Sequence, residues 1–276
     1  MDTRTPTPSG QPERREAERG RFRSSGNALY GVLRFIARHV RGFWGAIAAF
    51  LTLGFAVGAA AAAIFASLAS FVQTGFTQRF DERVLRWFET HRSAGLDNVM
   101  LEITSLGNGS VLVMLVAITS TFLWLTRHRW SVYILLVGVL GGKLLNTILK
   151  ESFARPRPSI FEHVDPVSSM SFPSGHAMSS IIAYGSVAYL ISRLEPTRGL
   201  RITTWVIAAL LVGGIGVSRM YLGVHYPSDI IGGFLAGLAW LAFVASTITA
   251  VGFFAPRRPE TRSEEKGLIS DPDAAA

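Results

Sequence analysis

Apolar residues in this chain run in long blocks separated by short polar breaks. A helix needs about 20 consecutive apolar residues to cross a bilayer. Stretches near that length cover about 43–72, 110–126, 131–150, 174–193, 202–219 and 228–254. In lipid a helix satisfies its own backbone groups, so the pattern predicts an all-α polytopic bundle of six transmembrane helices.

Other stretches read differently. Between the first two spans, Phe80, Val84, Leu85 and Phe88 recur at helical spacing among Arg83, Arg86 and Glu89. That spacing predicts one or two short interfacial helices over 75–107, broken near Ser93–Gly95 and ending at Gly107–Gly109. Residues 27–42 place Leu29, Val32, Leu33, Ile36 and Val40 on one face, with Arg34, Arg38 and Arg41 elsewhere. This suits an amphipathic helix lying on the membrane surface. Residues 1–26 form a basic tail and residues 255–276 a polar one. Both lack the apolar content to fold and are expected to be disordered. The six-span domain therefore occupies 43–254.

Composition agrees with the membrane reading. Of 276 residues, 49% are hydrophobic, and mean hydropathy is positive at +0.33. The net charge of +8 would suit nucleic-acid binding, but the basic residues sit in tails and loops beside apolar spans, where they orient a membrane protein. There is no cysteine, which excludes disulfides, thiolate nucleophiles and thiolate metal sites. With the N-terminus in the cytoplasm, Arg127, Arg129, Arg193, Arg198, Arg201, Arg257 and Arg258 all fall on the cytoplasmic side. The positive-inside rule favours this arrangement, with both termini cytoplasmic. A bacterial inner membrane is the expected location.

Three polar stretches then fall at one depth on the outer side: Lys150–Pro158 (KESFARPRP), Pro173–His176 (PSGH) and Ser218–Asp229 (SRMYLGVHYPSD). A phosphate monoester carries about two negative charges, and binding it without a metal needs fixed cations and N–H donors. Lys150, Arg157 and Arg219 can supply the cations. Ser174, Gly175 and His176 follow Pro173 at an expected helix start, where free backbone N–H groups attract anions. One histidine can attack phosphorus while the other protonates the leaving oxygen and later activates water. Asp229 lies four residues after His225, about one helical turn, and can fix its tautomer. His176 has no such neighbour at that spacing, so His225 is expected to be the nucleophile and His176 the general acid.

The three stretches match K-x6-R-P, P-S-G-H and S-R-x5-H-x3-D in order. The chain resembles the type 2 phosphatidic acid phosphatase superfamily of integral-membrane lipid phosphatases over about residues 75–250. The resemblance implies a six-helix bundle with catalytic His225, His176 and Asp229. It also implies phosphate binding by Lys150, Arg157, Ser174, Gly175 and Arg219, with no metal and no cofactor. The expected reaction is hydrolysis of undecaprenyl diphosphate, phosphatidic acid or phosphatidylglycerol phosphate through a phosphohistidine. A lipid phosphotransferase using the same histidine and a non-catalytic lipid-phosphate binder or transporter are the rivals. Partners are then the lipid phosphate and the surrounding lipids, with no nucleic acid; the sequence sets no oligomeric state.

Other polar residues read as structural. Arg155 is expected to be a solvated loop charge, and Glu162, His163 and Asp165 a loop rather than a metal site. Ser218 either holds neighbouring site residues or packs between helices. Lys143 falls mid-span, where charge is costly. It either snorkels or bonds a neighbouring helix, or it joins Asn146 and Lys150 in a polar stripe.

Overall fold

The computed structural model describes residues 43–161 and 169–254. The amphipathic segment at 27–42, both tails and the loop around His163 lie outside the described residues. Contacts group the chain into residues 1–53 and 54–276. Only the opening of the first helix represents the first group, and the packing and site described here belong to the second.

Eight helices follow in order among the described residues: α1 (Phe43–Gln73), α2 (Gln78–Thr90), α3 (Ala94–Ser105), α4 (Gly109–Leu125), α5 (Arg129–Phe153), α6 (Gly175–Leu194), α7 (Arg198–Tyr221) and α8 (Pro227–Phe254). Ser93, Ser174 and Thr197 open α3, α6 and α7, each accepting a bond from a first-turn N–H. α5 ends where Ala154 turns left-handed at φ 45°, just before Arg155 and Pro156.

Five helices are long and apolar enough to cross a membrane alone: α1, α5, α6, α7 and α8. α4 has 17 residues, about 25 Å of helix, which falls short of a hydrocarbon core of about 30 Å. Joined to α3 through a 41° bend, it passes the test of length and composition, so the α3–α4 pair is the candidate sixth span, a broken span or a re-entrant loop. Hydropathy suggested residues 110–126 alone. The bend falls at Leu106–Asn108, and the freed Leu106 carbonyl accepts from the Tyr184 hydroxyl at 2.8 Å. A broken helix is tolerated at membrane depth when a neighbour satisfies it in this way.

α6 lies at the centre, packed on α5, α7 and α8. Met178, Ile182 and Ala236 form a buried cluster with Trp240 against it, and the indole N–H donates to Gly138 O at 2.8 Å. Small residues let the backbones close. A Cβ at Gly233 of α8 would meet the Ser174 carbonyl at 2.6 Å, and one at Gly237 would meet the Met178 carbonyl at 3.0 Å. This close approach carries the first turn of α6 up to the start of α8. The C-terminal ends of α5 and α7 and the N-terminal ends of α6 and α8 therefore share one end of the bundle.

Candidate active site

That end holds all three polar motifs. His225 sits in the turn between α7 and α8 and is 1% exposed. Gly223 makes this turn possible: its φ is 76°, and Phe161 packs where a side chain would stand. The His225 ring is held from both nitrogens. Nδ1 lies 3.5 Å from Asp229 Oδ2 and 3.3 Å from Ser171 Oγ. Nε2 lies 3.3 Å from Arg157 Nη1. A guanidinium can only donate, so Nε2 is the acceptor and Nδ1 carries the proton. Burial, chiefly, lowers the His225 pKa to about 4, against the opposing pull of Asp229; the Arg157 and Arg219 charges push the same way as burial.

Asp229, in the first turn of α8, is fully buried. Its Oδ2 accepts from Ser171 Oγ at 2.5 Å and from the Tyr226 N–H at 2.8 Å. Its Oδ1 accepts from Arg155 Nη1 at 2.7 Å. The two sides of the carboxylate thus have different partners, which fixes its rotation.

Lys150 and Arg157 converge on one short segment. Lys150 Nζ donates to Met170 O at 2.6 Å and Ser169 Oγ at 3.1 Å. Arg157 donates to Ser169 O at 2.7 Å, Ser169 Oγ at 3.1 Å and Val224 O at 2.6 Å. Ser174 is buried as the N-cap of α6, and its own N–H donates to Asp229 O at 3.0 Å. Gly175 abuts Asn146, whose Oδ1 would stand 3.0 Å from an added Cβ. Arg219 is 1% exposed and donates to Thr104 Oγ1 at 2.9 Å, so it is a buried cation rather than a snorkelling one. His176, in the first turn of α6, has Nε2 3.0 Å from Asn108 Oδ1 at the α3–α4 bend.

Several of these partners escaped the sequence reading. Ser171, Thr104 and Asn108 lie outside the motifs and pair with residues far away in the chain. Arg155 is corrected outright: it is 9% exposed, bonded to both Asp229 and Asp81, and not a solvated loop charge. Along α5, Asn146 is buried and bonds toward Pro173 O, while Lys143 is exposed. Ser218 donates within its own helix to Ile215 O at 2.7 Å, which is packing.

Residues 131–252 match the model of the PAP2 superfamily. The chain is 35% identical over 175 residues to phosphatidylglycerophosphatase B of Bacillus subtilis, covering 63% of this chain and 86% of that one. It belongs to the PAP2 superfamily. As such it is a membrane lipid phosphatase, which the apolar helices and cationic site end both suit. This PAP2 enzyme is also 26% identical over 180 residues to an undecaprenyl-diphosphatase of Sulfolobus acidocaldarius, covering 63% of this chain and 80% of that one. Its fold matches the crystal structure of a transmembrane PAP2-type phosphatidylglycerolphosphate phosphatase from Bacillus subtilis, with a TM-score of 0.66 and 32% identity over 71% of this chain and 98% of that one.

Proposed function

We propose that this PAP2 enzyme removes the terminal phosphate of a lipid phosphate or diphosphate by way of a phosphohistidine on His225. One observation carries the reading: His225 presents an unprotonated Nε2 toward Arg157 while Asp229 and Ser171 stand on Nδ1. Nε2 attacks phosphorus as the bond to the leaving lipid oxygen breaks. His176 protonates that oxygen, which leaves as an alcohol, or as a lipid monophosphate from a diphosphate. Asp229 balances the imidazolium formed on His225. His176 then takes a proton from water, the hydroxide attacks phosphorus, and the N–P bond breaks to release phosphate. Lys150, Arg157, Arg219, the Ser174 hydroxyl and the Gly175 N–H bind the phosphate oxygens.

The lipid enters from the side. An apolar groove of about 470 Å³ between α1, α5 and α8 is lined by Phe65, Leu145, Leu149 and Trp240 among others. Leu149 adjoins Lys150 in the chain, and Phe65 stacks on Phe172 with ring centroids 5.6 Å apart. The groove therefore leads a hydrocarbon chain toward the phosphate-binding end. Phosphatidylglycerol phosphate stands first among candidate headgroups, supported by the name of the relative at 35% identity; undecaprenyl diphosphate and phosphatidic acid follow.

The site end faces outward, away from the cytoplasm. Arg127, Arg129, Arg193, Arg198 and Arg201 gather at the opposite helix ends, which supports that orientation through the positive-inside rule. Phosphate release by purified protein, with EDTA present, across a panel of these three lipids tests the reading. Release from at least one is expected; release from none contradicts it.

A further inference from the structure

The chemistry above leaves no role for Arg155, yet its guanidinium is tied down on several sides. Nη1 donates to Ser228 Oγ and Asp229 Oδ1, both at 2.7 Å. Nη2 donates to Asp81 Oδ2 at 2.9 Å and Gln78 Oε1 at 3.2 Å. Its carbon stands 4.2 Å from the centroid of the Tyr226 ring. Asp81 is fully buried, and it also accepts from the Ser228 N–H at 3.0 Å and the Ser228 hydroxyl at 2.6 Å. Two buried carboxylates thus share one arginine. One belongs to α8 and the other to α2, a helix outside the residues that match the family model.

A lone buried carboxylate is unstable, and a buried arginine facing it on one side only would draw its charge away from any other neighbour. Arg155 is held between two. Burial works against its charge, but Asp229 and Asp81 outweigh that and raise its pKa above the ordinary value. Removing the Asp81 charge leaves the guanidinium acting on Asp229 alone, on the side away from His225.

We propose that Asp81 and Arg155 form a buried brace that positions Asp229 for His225. Arg155 grips Oδ1 and so turns Oδ2 toward the imidazole. Asp81 balances the Arg155 charge, which leaves the negative charge of Asp229 available when His225 becomes cationic. Both are positioning residues, and the inference rests on the reading of His225 as nucleophile. The competing use of Arg155 is as a ligand for the lipid phosphate. Arg155 is buried and its charge is already balanced by two carboxylates, whereas Arg157 has no carboxylate among its hydrogen-bond acceptors named above, which favours the brace.

The test uses Asp81→Asn, Arg155→Gln and the double variant in full-length protein in detergent. It reads kcat and KM on a short-chain phosphatidic acid, inhibition by inorganic phosphate, and thermal unfolding. Asp81→Asn is expected to lower kcat about 10- to 100-fold, the range for losing an outer partner of a site residue. KM and phosphate inhibition should stay within about twofold, because uniform binding is untouched. The double variant should be no slower than Arg155→Gln, since the two act through one path. Wild-type kcat in Asp81→Asn overturns the brace. So does a change confined to KM or to phosphate inhibition, and so do effects that multiply. Should Asp81→Asn not fold, Arg155→Lys keeps the charge without the fork; an unchanged kcat there overturns the brace as well. A His225→Ala control separates the two claims: if that variant stays active, the nucleophile reading itself fails.

Discussion

Asn108 holds its Oδ1 3.0 Å from Nε2 of His176, across the bend between α3 and α4. The contact fixes the ring plane, and under the proposed mechanism it steadies His176 as the general acid. Gly107 makes room for the pairing, because a Cβ there would stand 2.9 Å from His176 Cδ2. Asn108→Leu should therefore lower kcat about 10- to 100-fold, the scale of general acid–base catalysis lost in part. KM should change little. Steady-state kinetics on a lipid phosphate checks this, and an unchanged kcat would remove Asn108 from the account.

Gly233 sets where the first turn of α6, the proposed phosphate-binding turn, stands. An added Cβ would press on the Ser174 carbonyl at 2.6 Å and on Ala177 Cβ at 2.8 Å, so the first turn of α6 must shift. Gly233→Ala should cost about 1–3 kcal/mol of stability through overpacking and should lower kcat as well. Gly213→Ala serves as the control, because nothing lies within 4 Å of its added Cβ. Thermal unfolding in detergent should fall for the first variant and stay level for the second.

His225 should titrate far below an ordinary histidine. Its folded pKa of about 4 lies under the unfolded value of about 6.5. Between those values the unfolded chain binds the extra proton and the folded chain does not. Stability from this group therefore rises with pH across that window and is complete above it. Histidine resonances of labelled protein in micelles, assigned by His225→Gln, should place the midpoint near pH 4. A midpoint near 6.5 would mean that water reaches the ring.

How much of this was legible in the sequence depends on the distance between partners. Long apolar runs spelled out α1 and α5 to α8 because lipid imposes one simple length rule. The α3–α4 pair was harder, because Asp97, Asn98, Glu102 and the Gly107–Gly109 break lower its hydropathy. His225 with Asp229 could be read because the two are four residues apart. Asn108 with His176, 68 residues apart, and Arg155 with Asp81, 74 apart, left no local signal. Arg155 misled for a physical reason: a solvated loop charge and a buried hub have the same neighbours in sequence. Only the packing of α2 under the start of α8 separates them.

In the proposed mechanism His225 takes the phosphate. Phosphate release by purified His225→Ala beside wild type, on the best lipid phosphate of the panel, tests this. Loss of the nucleophile should lower kcat by on the order of 10⁴-fold or more, with unfolding and phosphate inhibition close to wild type. A rate within about tenfold of wild type, roughly 1.4 kcal/mol in barrier height, would contradict the account.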